Sequence, residues 1–417
     1  MRYLSLTLWL LFVGHANILY GDTAKKKMII IGVDGMDPRL SERLMDAGRL
    51  PNLDKLRKAG GYKLLGTSNP PQSPVAWSNF INGAGPGTHG IFDFIHRHPE
   101  NQIDPYFSGS DIKEGEGQWE AGDHCLELNF WPFNHEPTTT LLKREGIPFW
   151  DYLDREGIYS SFYDLPANFP PSQSSHGHHC CMAGMGVPDI LGTYGTYQHW
   201  TEEGSPRVKR SAGGMQTMIW FESGDSAVVK VIGPQNSMLC KPEDIALEMK
   251  VFRDIKNESC ALKIQDHKVL LKQGQWSDWK TLDFTMVMPE FLPNEKISGV
   301  VRFYLQEVSP NFRLYMSPIN INPKNAAVDI SEPPTFVAEI SQELGSFATV
   351  GFQEDFNALK NNVFNEEEYI KQAMYVLDER MEMLEYAVKH YEDGLLFFYF
   401  SSVDQQAHML WWDSDEK

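Results

Sequence analysis

Hydrophobic and polar positions fall into three textures along this chain. Met28 to Val33 and, near the other end, Leu395 to Val403 are nearly unbroken apolar runs. Runs of that length, rich in branched and aromatic residues, predict strands buried on both faces. Between them, Pro38 to Ala47, Leu50 to Ala59, Ser73 to Ile81 and Pro148 to Gly157 predict helices, and Tyr159 to Tyr163 another strand. This strand–helix rhythm is that of an α/β domain. Residues 95–145 are rich in Gly, Pro, Asn and His, with weak periodicity, and read as excursions over the sheet edge.

From Met215 to Ser317 the texture changes. Val228 to Ile232, Ala246 to Phe252, Ala261 to Ile264, Val269 to Leu271, Val300 to Tyr304 and Phe312 to Tyr315 predict short strands, punctuated by Gly, Asn, Asp and Pro. Trp276, Trp279 and Phe284 add aromatic bulk, read as core packing. Helical rhythm returns in Glu366 to Tyr391. There Ile370, Ala373, Met374, Leu377, Met381, Leu384 and Val388 form one stripe, expected to face the core. The expected fold is α/β, a mostly parallel, doubly wound sheet with an inserted all-β domain. The core occupies 28–214 and 318–417, and the β-rich insertion 215–317. Its strand edges need covering, and packing on the α/β body or, in a homo-oligomer, on another subunit are the two alternatives expected.

Composition narrows the class. The chain has 417 residues, 42% hydrophobic and 22% charged, an ordinary globular balance. Its net charge of −19 argues against a nucleic-acid-binding surface. It does not exclude a phosphorylated small molecule, because bound metal ions reverse local charge. Met1-Arg2 followed by the apolar run Leu4 to Val13 reads as a signal peptide over 1–21. A secreted or periplasmic protein without a transmembrane span is expected, the alternative being an uncleaved N-terminal anchor. Of five cysteines, Cys240 and Cys260 are placed to pair within one β segment. Cys180-Cys181, beside His178 and His179, match no zinc spacing and read as loop or core thiols.

Three strings hold candidate chemistry. Gly32-Val33-Asp34-Gly35 puts a carboxylate at the end of the first strand, where open α/β sheets bind ligands. A helix-capping aspartate fits that position equally well. Ser73 precedes Pro74 at a helix start, where a hydroxyl and a phosphate both meet the positive helix end. The alternative is an ordinary capping serine. Asp404 and His408, spaced i, i+4 after the last strand, can face one metal ion, or can be a capping aspartate and a surface histidine.

Together these strings resemble the alkaline phosphatase superfamily, in its type I phosphodiesterase/nucleotide pyrophosphatase branch. The resemblance runs through Gly32 to Gly35, Ser73-Pro74-Val75-Ala76-Trp77-Ser78-Asn79-Phe80-Ile81-Asn82-Gly83, Pro86 to Ile91, Gly184 to Asp189, and Asp404-Gln405-Gln406-Ala407-His408. It implies an alkaline phosphatase-like fold and a site of two divalent metal ions, usually zinc. By resemblance Asp34 and Ser73 would touch one ion, Asp404 and His408 the other, and Ser73 would be the transiently phosphorylated nucleophile. The pattern departs from the family in three ways. Ser73 and Ala76 stand where nucleotide pyrophosphatase members usually carry Thr and Asn. The later Asp-His-Gly ligands and a final His are absent, and Asp123-His124 and Asp266-His267 lie in the wrong order to replace them. The β-rich insertion lies outside the minimal core. A C-terminally truncated copy of weak or no activity is therefore expected.

The expected function is a secreted, metal-dependent phosphoric ester hydrolase working through a phosphoserine. No Arg or Lys lies beside Ser73, which favours a diester over a monoester. A sulfatase is disfavoured, because Pro stands at +1 and Trp77 at +4 from Ser73. The alternative is a non-catalytic exported binding protein on a decayed or truncated hydrolase fold.

Overall fold

The structure, a computed structural model, describes residues 26–97, 105–129, 136–203, 208–222 and 224–411. The expected signal peptide lies outside the described residues. Helices α1 to α9 span, in order, Pro38–Asp46, Pro51–Leu56, Ser73–Asn82, Pro86–His89, Phe149–Arg155, Phe336–Leu344, Phe356–Lys360, Glu366–Lys389 and Ser402–Leu410.

A five-stranded sheet organises the α/β part. Its spatial order is Lys27–Val33, Gly394–Phe400, Ser160–Leu165, His179–Ala183 and Ser331–Glu332. The first four run parallel and the last antiparallel. Alternation along Gly394–Phe400 divides the core. Leu396 and Phe398 pack with Val337 and Ile340 of α6 and Met383 and Ala387 of α8. Leu395, Phe397 and Tyr399 pack with Ile81 of α3 and Trp150 of α5. Helices therefore cover both faces of this strand, which explains its continuous apolar run.

The first strand is only half covered. Ile30 packs towards α3, whereas Ile29 and Ile31 are 48% and 44% exposed on the side where α8 lies. The expected stripe of α8 needs correction for the same reason. Ile370, Met374, Met381 and Val388 are exposed. The buried line is Tyr369, Ala373, Val376, Arg380, Met383 and Ala387, turned slightly around the helix. Asn365 and Glu368 form a reciprocal capping box at its start.

The β-rich part forms separate sheets, and among the described residues none of its strands pairs with the central one. Its largest sheet includes Tyr197–Thr201, Gly214–Met218, Phe303–Glu307 and Arg313–Met316. The β-rich stretch thus begins before residue 215. The run expected over Val300 to Tyr304 breaks at Arg302 into strands of two different sheets. Trp200, Val231, Val251, Phe284 and Leu314 share one core. Glu379 of α8 joins the two parts. It accepts from the Trp279 indole at 2.6 Å and from Arg302 at 3.0 Å.

Short strands pair within the described residues 105–129 and 136–142, among them Ser110–Lys113 with Thr139–Leu142 and Gln118–Ala121 with His124–Glu127. The disulfide is Cys125–Cys240, not the expected Cys240–Cys260. Backbone bonds from Cys125 to Met238 and from Cys240 to Asp123 hold the pair together. Cys260 instead points into the β core as a free thiol. Cys180 and Cys181 lie in the buried strand His179–Ala183 and face opposite sides of the sheet, which settles them as core thiols.

Candidate functional site

The parallel register pairs Val33 with Phe400, so the segments after these two strands start side by side. The Asp34 N–H donates to the Phe400 carbonyl at 3.0 Å. The chain then turns at Gly35, whose φ of +65° favours glycine. A Cβ there would stand 2.7 Å from the Asp404 Cα, so the Asp34 turn and the start of α9 are in backbone contact. The Asp34 carboxylate accepts from the Tyr399 hydroxyl at 2.8 Å and the Gly35 N–H at 3.1 Å. It does not cap a helix. Asp37 caps α1, accepting from the Leu40 N–H at 2.7 Å.

Ser73 is the first residue of α3, and Gln72 before it makes no side-chain cap. One turn on, Trp77 packs edge-on against Tyr399, with ring centroids 5.1 Å apart. A Cβ at Gly32 would come within 2.7 Å of the Trp77 ring. Gly32 thus lets the indole lie against the first strand, which sets Ser73 beside the strand ends. In α9, Asp404 sits in the first turn, and His408 Nε2 lies 3.5 Å from its Oδ1.

Asp34, Ser73, Asp404 and His408 all line one cleft, with Phe94, Met185, Phe352 and Tyr399 among the other walls. No Lys or Arg lines it among the described residues. Burial raises the Asp404 carboxyl above its ordinary range, the nearby Asp34 charge raises it further, and His408 opposes both. Two carboxylates, an imidazole and a hydroxyl are a donor set that suits a divalent cation in kind. Among the described residues, however, no three His, Cys, Asp or Glu side chains converge as a metal-binding group.

Sequence reasoning passed over a polar cluster behind the cleft. Asp164 has a φ of +60° where its strand loses regular register. Its carboxylate accepts from Gln353 at 3.0 Å and Arg380 at 3.3 Å. Glu354 is buried beside Ser402, the first residue of α9, and burial raises its carboxyl. The one available signal was a lone acid inside a buried run, Ser160 to Leu165. In the string Gly184 to Asp189, Met185 lines the cleft and the rest shapes the backbone. Gly351 lies against Gly184 and Gly186, and Asp189 accepts from Leu191, Thr193 and Thr196 to fold the loop that follows.

The fold and cleft define an α/β protein with a parallel-containing central sheet and a ligand cleft at its strand ends. Residues 28–202 match the model of the type I phosphodiesterase / nucleotide pyrophosphatase family, which is part of the alkaline phosphatase superfamily. Asp34 and Ser73 lie inside the matched segment, and Asp404 and His408 beyond it. The match supports a phosphoester hydrolase. No curated protein and no solved structure matches the chain.

Proposed function

We propose that this chain is an exported, metal-dependent phosphodiesterase with Ser73 as nucleophile, built on a doubly wound core with an inserted β-rich domain. The supporting observation is the convergence of Asp34, Ser73, Asp404 and His408 on one cleft that, among the described residues, has no Lys or Arg in its lining. A diester phosphate carries one negative charge, less than a monoester, and needs less protein cation to hold it. The Ser73 oxygen attacks phosphorus, the bond to one ester oxygen breaks, and that oxygen leaves as an alcohol after taking a proton. Water then attacks the phosphorylated serine, which still carries the second ester group, releases the phosphomonoester and restores the serine. Ser73 stands at the positive end of α3, whose dipole favours the negative charge of the transferring phosphoryl group. Asp34, Asp404 and His408 would hold divalent cations, zinc being the leading choice, which would neutralise phosphoryl charge and favour the serine alkoxide. Export is supported by the apolar N-terminal run and by the Cys125–Cys240 disulfide, which suits an oxidising compartment.

A second reading, a binding protein without turnover, is favoured by the absence of a three-residue metal group among the described residues. Hydrolysis of methyl 4-nitrophenyl phosphate with and without added zinc separates the two. The expected result is metal-stimulated turnover that Ser73→Ala reduces at least a hundredfold, about 2.7 kcal/mol of barrier, with circular dichroism unchanged. Mass mapping of a methylphosphoryl group onto Ser73 after an acid quench is the direct check. Equal rates for the parent and Ser73→Ala would sink the nucleophile assignment.

A further inference from the structure

The chain carries a net charge of −19, yet one face of its β-rich part is basic. A four-stranded antiparallel sheet runs there in the spatial order Ser226–Gln235, Asp244–Asp254, Ser259–Ile264 and His267–Lys272. Its inner face gives Val231, Val251, Leu262 and Leu271 to the β core. Alternation sends the intervening side chains to the outer face.

The register arranges that outer face in rows. Lys250, Lys263 and Lys268 stand abreast on three neighbouring strands, with Val228 beyond Lys250. The adjacent row is Phe252, Ala261 and Leu270. Lys230 and Lys272 are exposed on the same face. Its acids do not offset these charges. Glu248 lies 3.8 Å from Lys250, Asp254 accepts from Asn257, and Asp244 at the far end pairs with Arg210 at 2.5 Å. Among the described residues, Lys230, Lys263, Lys268 and Lys272 have no carboxylate partner. Like charges directly opposite each other destabilise a sheet, so the lysine row is a cost to the free protein.

The apolar row is exposed too, Val228 by 62%, Phe252 by 45% and Leu270 by 72%. Ala261, small between two large side chains, leaves a groove of about 230 Å³ that Phe252, Leu270, Lys263 and Lys268 also line.

We propose that this face docks on an anionic phospholipid bilayer. The lysines meet phosphate headgroups, and Val228, Phe252 and Leu270 enter the boundary between headgroups and acyl chains. Charge complementarity selects an anionic partner. The apolar row selects a bilayer over a soluble polyanion, which would leave Phe252 and Leu270 in water. A second copy of the chain is not the occupant, because a two-fold contact on this face would set one excess of lysine against another. The acidic remainder of the molecule does not prevent contact, since charges beyond a Debye length, about 8 Å at physiological salt, are largely screened. Docking needs no turnover at Ser73.

The test is sedimentation of the full chain with vesicles of phosphatidylcholine alone and of equal parts phosphatidylcholine and phosphatidylglycerol. The mixed vesicles should bind it at least about tenfold more tightly, and added salt should weaken that preference. The triple variant Lys250→Gln, Lys263→Gln, Lys268→Gln should lose the preference. Its urea midpoint should not fall, because the opposed like charges are gone. Leu270→Ser keeps the charge and should weaken binding to the mixed vesicles several-fold. Dextran sulfate, a soluble polyanion, should bind the parent more weakly than the mixed vesicles do. Equal binding to the two kinds of vesicle, a preference that the triple variant retains, or parent-like binding by Leu270→Ser would overturn the proposal. Dextran sulfate binding as tight as that of the mixed vesicles would overturn it as well and mark the face as a polyanion site.

Discussion

Gly35 shows how one missing side chain holds the cleft together. Its left-handed φ and its approach to Asp404 bring two carboxylates on separate strand ends towards one space. Gly35→Ala should cost about 1–2 kcal/mol for the left-handed backbone alone. It should also push α9 away and lower kcat/KM by more than the stability loss explains. Chemical denaturation and kinetics on the same sample separate the two effects, and unchanged kinetics would show that the approach is incidental. Two other carboxylates set opposing pH responses. Burial would raise Asp154, but N–H groups of His178, His176 and Ser175 and the Ser174 hydroxyl outweigh it and hold the group at about 2. Its folded value lies below the unfolded one, so its contribution is present above about pH 4 and is lost as pH falls towards 2. Asp355 is pushed up to about 6 by burial, against the Tyr315 hydroxyl that donates to it at 2.5 Å. Its folded value lies above the unfolded one, so its stabilising share is full below about pH 4 and is lost as pH rises through 6. Urea midpoints should therefore fall between pH 4 and 6, and Asp355→Asn should flatten that fall by roughly 2–3 kcal/mol. A midpoint profile that Asp355→Asn leaves unchanged would refute this.

At the scale of elements, α8 sets the sharpest test. Arg380 is 2% exposed, donates to the Ala348 carbonyl at 3.0 Å and pairs with Asp164. Arg380→Ala leaves the Asp164 carboxylate buried with Gln353 but without its counter-ion, and should cost about 3–5 kcal/mol. The double variant with Asp164→Ala should cost less than the sum, measured by urea unfolding; strict additivity would mean the pair is not coupled. The same helix shows where sequence reading stops. The helix over Glu366 to Tyr391 was legible from its period, and the structure ends it at Lys389. Which face it buries was not, because apolar residues occupy two adjacent stripes and the buried one contains Arg380. A charged residue enters a core only with its partner, and Asp164 lies far away in sequence. Likewise Asp34, Ser73, Asp404 and His408 could be singled out from local strings, since each sits at a strand end or helix start. The Asp164–Gln353–Arg380 cluster was illegible, because its members come from three segments far apart in sequence.

For the whole molecule, the bridge between Cys125 and Cys240 ties the short paired strands beside the central sheet to the β-rich part across 115 positions of sequence. A loop of that length confines the unfolded chain by about 5 kcal/mol in the entropic account. The linkage also has a consequence in time. A chain made from its N-terminus presents Cys125, then Cys180 and Cys181, and only later Cys240. For several seconds of synthesis the wrong sulfurs are the available ones. Once strand His179–Ala183 is packed, burial pushes the Cys180 thiol up to about 12, and it no longer exchanges as a thiolate. The order of two events therefore decides the outcome: if oxidation of Cys125 outruns packing of that strand, the chain is trapped with the wrong cross-link. Replacing both Cys180 and Cys181 by Ala should raise the fraction of newly made chains with the Cys125–Cys240 bond under early oxidation, read by non-reducing electrophoresis and peptide mapping. An unchanged fraction would mean that the strand packs before its thiols can interfere.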